Sequence, residues 1–266
     1  MRQGGILGCL IQTRWRRIPY ACNLRPNLTK PDRMKPQPTH PYPIKLCGMT
    51  RLADVQAAAQ AGAHWVGVIQ VAGSSRCVDP SQAAVLLAAA REVGLTGVLP
   101  LANPLPAAVV ELVAAMHPAM VQLHGGESPV DVAAIRGALN ERGMAVPLIK
   151  ALAVDDALTP EQVMAYAGVA DWLLLDRPKD PDQRRQATIA PAEWAAANPL
   201  RDIPWLLAGG LTVENVAAQV ALGRPHGVDV ASGIEADPQQ HPGVKDLAMM
   251  QRFVQNASAA LVGLSP

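Results

Sequence analysis

From residue 44 onward, short β-branched or leucine-rich runs alternate with longer stretches whose apolar residues recur every three or four positions. The short runs fall at 44–47, 65–69, 97–101, 119–123, 147–151, 171–175, 204–208 and 227–231. The helical stretches lie near 51–62, 80–93, 105–116, 128–141, 159–167, 191–197, 212–221 and 243–262. A strand, a polar or glycine-containing turn and a helix, repeated in this way, form the pattern of βα units in a parallel sheet. Asp79-Pro80, Thr159-Pro160 and Ala190-Pro191 each place proline in a first helical turn, where its missing N–H costs nothing. Gly62, Gly94, Gly143, Gly168 and Gly223 stand where helices should stop. Eight such units favour a closed barrel, because an open sheet leaves two edge strands exposed and usually has fewer strands. The predicted fold class is α/β, a single-domain (β/α)8 TIM barrel over residues 44–266.

The first 43 residues break the pattern. Seven prolines interrupt them, eight basic residues face one acid, and neither a helical nor an alternating period survives. They are expected to form a disordered, dispensable basic extension. The proline density argues against the amphipathic helix of an organellar transit peptide.

Composition narrows the function. The full chain of 266 residues carries a net charge of only +1, and beyond residue 43 fifteen basic residues face twenty-one acids. That mildly acidic body, with aromatics at 3%, offers no footprint for nucleic acid or an anionic membrane surface. No apolar run approaches the roughly 18 residues of a membrane span. Cys9, Cys22, Cys47 and Cys77 contain no Cys-x-x-Cys pair and no accompanying histidine spacing, so no metal is expected. A reducing, cytoplasmic setting fits, in which a thiol can be reactive.

In a barrel of this kind, chemistry sits where strands end and the following loops begin. The polar or glycine residues at those places are Cys47, Arg76, Gln122 with His124, Asp176, Gly209 with Gly210, and Ser232 with Gly233. Taken singly, each has a plain structural reading. A strand-end cysteine is commonly a small buried hydrophobe, an aspartate can cap a turn or pair with Arg177, and a loop arginine is usually solvated. Paired glycines can simply make tight turns.

Together they are specific. KLCGMT at 45–50, SSRCV at 74–78, VQLHGGES at 121–128, LLLD at 173–176, AGGLTVENV at 208–216, GVDVASGIE at 227–235 and PGVKD at 242–246 resemble the phosphoribosylanthranilate isomerase family, in order and spacing, from Ile44 to Phe253. The resemblance implies an Amadori rearrangement of an aminoaldose to an aminoketose in tryptophan biosynthesis, without cofactor or metal. It implies that Cys47 is the general base, that Asp176 is the general acid, and that Arg76 meets the aryl carboxylate of the substrate through a bidentate pair. The phosphate is then expected on main-chain N–H groups of Gly209, Gly210, Ser232 and Gly233, helped by a short helix near 234–240. A thiol with an ordinary pKa of about 8.5 needs a nearby cation or dipole to serve as a base near neutrality. His124 and Gln122 are read as supporting residues. The partner is a small phosphorylated substrate, and the chain is expected to be a monomer or homodimer.

Two departures accompany the resemblance. The stretch 177–194, RPKDPDQRRQATIAPAEW, has no glycine where the family carries a flexible glycine-rich loop, and Gln70 stands near a place where the family commonly has phenylalanine. A non-catalytic or re-purposed phosphate-binding barrel therefore remains the alternative. A related sugar-phosphate isomerase using two aspartates is disfavoured by Cys47.

Overall fold

The structure is a computed structural model that describes residues 42–178, 180–198, 200 and 202–264. The expected disordered extension lies outside the described residues, apart from Tyr42 and Pro43. Eight parallel strands close into a barrel in sequence order. They are β1 (Ile44–Cys47), β2 (Trp65–Gly67), β3 (Thr96–Leu101), β4 (Met120–Leu123), β5 (Leu148–Ala153), β6 (Trp172–Asp176), β7 (Trp205–Leu207) and β8 (Gly227–Val230). Closure is made by β1, whose Lys45 is in register with Trp65 of β2 and with Asp229 of β8.

The helices are α1 (Leu52–Gln60), α2 (Pro80–Glu92), α3 (Pro106–Met116), α4 (Pro129–Glu141), α5 (Pro160–Met164), α6 (Pro181–Gln186), α7 (Pro191–Ala197), α8 (Val216–Gly223) and α9 (Leu247–Val262). The proline-marked starts behave as their chemistry requires. Asp79 accepts from the N–H groups of Ser81 and Gln82, Thr159 forms a reciprocal capping box with Gln162, and Glu193 accepts from the Ala190 N–H. Gly62, Gly94, Gly143 and Gly168 all have positive φ beyond helix ends. Gly223 differs: it stays inside α8, and Arg224 takes the left-handed position instead. A Cβ on Gly223 would stand 3.1 Å from the Ala192 backbone, so this glycine serves close packing of α8 on α7.

Period-two alternation sorts strand side chains into two cores. Outward residues such as Leu46, Val66, Leu99, Val121, Leu173, Leu175, Leu207 and Val228 pack under the helices. Inward residues Trp65, Val98, Met120, Ile149, Ala151, Trp172, Leu174, Leu206 and Ala208 form a separate cluster filling the lumen. Trp65 and Trp172, from opposite sides of the ring, meet edge to face with centroids 5.0 Å apart and planes at 80°. That contact plugs the barrel and leaves the strand C-termini as its open mouth.

One helix was not expected, and one expectation needs correction. The unexpected helix is α6, which Asp180 caps through the N–H groups of Asp182 and Gln183. Asp180-Pro181 is the same start signal as Asp79-Pro80, hidden in the sequence by surrounding charge. Residues 234–240 hold no helix; a 3₁₀ turn covers Ser232–Ile234 instead.

Candidate active site

Cys47 ends β1 and faces the lumen, 5% exposed. A Cβ added to Gly67 would lie 2.6 Å from Cys47 Sγ and 3.2 Å from Lys45 Nζ, so the thiol occupies the space that the glycine of β2 leaves open. Burial pushes the Cys47 thiol above its ordinary value and Asp229 adds to this, while Lys45 first and Lys245 after it pull it back down without cancelling the rise. Asp229 of β8 accepts from Lys45 Nζ at 2.8 Å, and the pair is almost fully enclosed.

Asp176 ends β6, also inward and buried. Its Oδ1 accepts from the main-chain N–H of Arg177 at 2.7 Å, and its Oδ2 lies 3.3 Å from His124 Nε2. The carboxylate therefore meets Arg177 through the backbone. His124 Nδ1 is 2.7 Å from Gln122 Nε2, and Gln122 points into the lumen from β4 with its Oε1 buried and unbonded among the described residues.

Arg76 lies on the loop after β2, and one edge of its guanidinium has a partner within the chain. Its Nε and Nη2 are already donated to Glu235 Oε1 and Oε2 at 2.7 and 2.6 Å. Glu235 also accepts from Lys245 Nζ at 2.8 Å and from the Gly243 N–H at 2.9 Å. Burial alone would raise Glu235, but Arg76 and Lys245 outweigh it and hold the carboxyl below its usual range. A Cβ on Gly48, whose φ is +77°, would meet the Arg76 stem at 2.7 Å, so Gly48 lets Arg76 lie against the end of β1. The second departure now has a structural role: Gln70 Nε2 donates to Val78 O at 2.6 Å and to Ile69 O at 3.1 Å, tying down the loop that carries Arg76.

The Gly209-Gly210 turn after β7 has positive φ at both residues, +91° and +83°. Among the described residues their N–H groups donate to no partner, while Gly210 O accepts from Asn215 Nδ2 at 2.9 Å. The Arg177 guanidinium lies near the same turn, 3.7 Å from where a Gly210 Cβ would stand. Gly233 holds the next turn against this one, since a Cβ there would come within 1.9 Å of Leu211 O. The two turns form one packed surface, with Ser232 at its edge.

The sequence reading passed over the buried charges Lys45, Asp229, Glu235 and Lys245. Alternation along β1 puts Lys45 on the same face as Cys47, and alternation along β8 turns Asp229 inward, but Glu235 and Lys245 lie beyond β8 and had no such signal. A third buried pair, Lys150 Nζ with Glu127 Oε2 at 2.6 Å, lies on the outward face of β5. Lys150 also donates to Gly125 O, and Glu127 accepts from the N–H groups of Gly125 and Asn103, so this pair braces the loop after His124.

Around the ring the strands carry, in order, a carboxylic acid (β6), a glycine turn (β7), a Ser-Gly turn (β8), a thiol (β1) and a guanidinium (after β2). An anion held by main-chain N–H groups would sit between a potential proton donor and a potential base.

Residues 44–256 match the family described as N-(5'-phosphoribosyl)anthranilate isomerase. The chain is 38% identical over 224 residues to N-(5'-phosphoribosyl)anthranilate isomerase of Paracoccus denitrificans, covering 82% of this chain and 98% of that one. Among solved structures it resembles a phosphoribosyl anthranilate isomerase in complex with reduced 1-(o-carboxyphenylamino)-1-deoxyribulose 5-phosphate, with TM-score 0.66, 26% identity, and 82% and 99% of the two chains covered. It also resembles a structure described as monomers of the dimeric enzyme of Thermotoga maritima, with TM-score 0.64, 26% identity, and coverage of 82% and 98%.

Proposed function

The chain belongs to the N-(5'-phosphoribosyl)anthranilate isomerase family, and we propose that it converts N-(5'-phosphoribosyl)anthranilate to 1-(2-carboxyphenylamino)-1-deoxyribulose 5-phosphate in tryptophan biosynthesis. The observation that carries this reading is the contiguous arc of acid, anion turns and thiol on β6, β7, β8 and β1. The catalytic unit is the barrel of residues 44–266, which β1 closes from its first residue through Ile44 and Val228.

In this scheme Asp176, protonated, gives its proton to the ribose ring oxygen, and the furanose opens to a Schiff base. Cys47 as thiolate takes the proton from C2, and the resulting enolamine tautomerises to the ketone. Proton transfers alone complete the rearrangement, so the chemistry calls for no cofactor or metal. The phosphate rests on Gly209, Gly210, Ser232 and Gly233. The anthranilate carboxylate meets Arg76 end-on, through the Nη1/Nη2 edge that Glu235 leaves open.

Gly-free residues 177–194 favour an anchored wall over a loose lid. Thr188 and Ile189 are tied to the Asp156 carboxylate by hydrogen bonds of 3.0–3.3 Å. A reducing compartment keeps a catalytic thiol free, and the cytoplasm is the proposed location on that ground. The proposed solution state is a monomer or homodimer, to be read by sedimentation.

Expression of the full chain in a tryptophan auxotroph lacking this isomerase tests the reading. Growth without tryptophan is expected, and the Cys47→Ala chain should not support it. A folded, expressed protein that fails to support growth yet is stabilised by inorganic phosphate would establish the re-purposed phosphate binder instead.

A further inference from the structure

Three cations and two carboxylates gather around the Cys47 thiol: Lys45 from β1, Arg76 from the loop after β2, Asp229 from β8, and Glu235 and Lys245 from the segment after β8. Asp229 pairs with Lys45, while Glu235 is shared by Arg76 and Lys245. Taken as a set, the five groups carry one uncompensated positive charge, and a thiolate at Cys47 would balance it. Lys45 is the closest of the cations by construction. It is two residues from Cys47 on the same inward face, and both side-chain tips crowd over Gly67.

The Lys45 ammonium is itself fixed. It is fully buried and donates to Asp229 Oδ1 at 2.8 Å. Burial works against its charge, but Asp229 and Cys47 outweigh burial and hold it above its ordinary value, so it stays protonated across the working range. A cation that cannot lose its proton and cannot move stabilises an anion beside it without being consumed.

We propose that Lys45, clamped by Asp229, is the positioning cation that favours the thiolate form of Cys47 against the cost of its burial and keeps its sulfur directed into the barrel mouth. This rests on the isomerase reading for the base role of Cys47. In the step it supports, the C2–H bond breaks as the S–H bond forms, and the electron pair of the former bond delocalises into the Schiff base. The Lys45 proton count does not change. Asp229 opposes the thiolate more weakly than Lys45 favours it, so the pair acts as a net cation at the sulfur.

The test titrates the Cys47 thiolate in the full-length protein by ultraviolet absorbance, taken as the difference between each protein and its Cys47→Ala counterpart. Lys45→Met is expected to raise the titration midpoint by about one unit or more. At neutral pH it should lower kcat about tenfold, by thiolate depletion, with little change in KM. Lys45→Arg, which restores the charge, should recover part of both effects. Because Lys45→Met leaves Asp229 buried and unpaired, the double variant Lys45→Met with Asp229→Leu removes both partners and protects folding. It should still show a raised midpoint.

A midpoint that stays put in a folded variant lacking Lys45 overturns the proposal, as does a raised midpoint with undiminished kcat at neutral pH. A wild-type protein without isomerase activity, whose thiol midpoint still rises when Lys45 is removed, would overturn the isomerase reading and uphold the Lys45 to Cys47 coupling.

Discussion

His124 Nε2 stands 3.3 Å from Asp176 Oδ2, joining the end of β4 to the end of β6. Gln122 Nε2 approaches the other ring nitrogen at 2.7 Å. With the amide nitrogen donating to Nδ1, the imidazole carries its proton on Nε2 and directs it at Asp176, a contact that favours the carboxylate left once Asp176 has given its proton to the substrate. The carboxylate is thus oriented from both sides, by this contact and by the Arg177 N–H. His124→Asn is expected to lower kcat about tenfold with KM nearly unchanged, because it disturbs the acid and leaves substrate contacts alone. Steady-state kinetics that return a wild-type kcat would remove His124 from the machinery.

Cys47→Ala and Asp176→Asn should each lower kcat at least about a hundredfold, the usual worth of a positioned acid or base. Cys47→Ser should fail as well, because a hydroxyl is too weakly acidic to supply the anion. Circular dichroism serves as the folding control, and a folded Cys47→Ala protein with kcat near wild type would exclude the thiol as base.

Glu235 holds two cations, so its removal should affect stability and binding together. Glu235→Leu leaves Arg76 and Lys245 facing each other without a counter-charge, and a loss of about 3 kcal/mol is expected from breaking such a network. Glu235→Gln is milder and should chiefly raise KM, as Arg76 loses its clamp. Denaturant unfolding and kinetics measure the two effects, and an unchanged unfolding midpoint for Glu235→Leu would contradict the structural role assigned to it.

Inorganic phosphate at millimolar concentration should raise the melting temperature by mass action and compete with substrate, because Gly209, Gly210, Ser232 and Gly233 present main-chain donors. Gly233→Ala is a poor probe of that site alone, since the new Cβ would collide with Leu211 O at 1.9 Å and disturb the turn itself. Competition kinetics on the wild-type protein decide the matter, and non-competitive behaviour would move the anion elsewhere.

Acid should destabilise the fold through Glu127 and Glu235. Burial would raise both carboxyls, yet Lys150 for the first, and Arg76 with Lys245 for the second, hold them below the ordinary value. A depressed folded-state pKa means that the unfolded chain binds more protons in acid. The stability these groups contribute is therefore intact above the unfolded value of about 4.3 and is lost as the pH falls through their lower folded values. Thermal melts between neutral pH and about pH 3 should show this loss, and in Glu235→Gln its slope should be shallower.

The sequence by itself determined the barrel and most of its mouth. Strand and helix periods, the proline starts at Pro80, Pro160 and Pro191, and the strand-end positions of Cys47, Asp176 and the two glycine turns are local properties, written in runs of a few residues. A short charged helix such as α6 escaped because its period is too brief to detect, although its Asp180-Pro181 cap was readable. What only the tertiary structure decided is which charges meet. Lys45 and Asp229 are 184 residues apart, and Arg76 and Glu235 are 159 apart, so no local pattern pairs them. Closure of β8 onto β1 brings these groups together, and burial makes their pairing compulsory because an isolated charge there would be far too costly. For the same reason the chain could not show that Glu235 holds Arg76, or that the cation which the Cys47 thiol needs is the Lys45 ammonium.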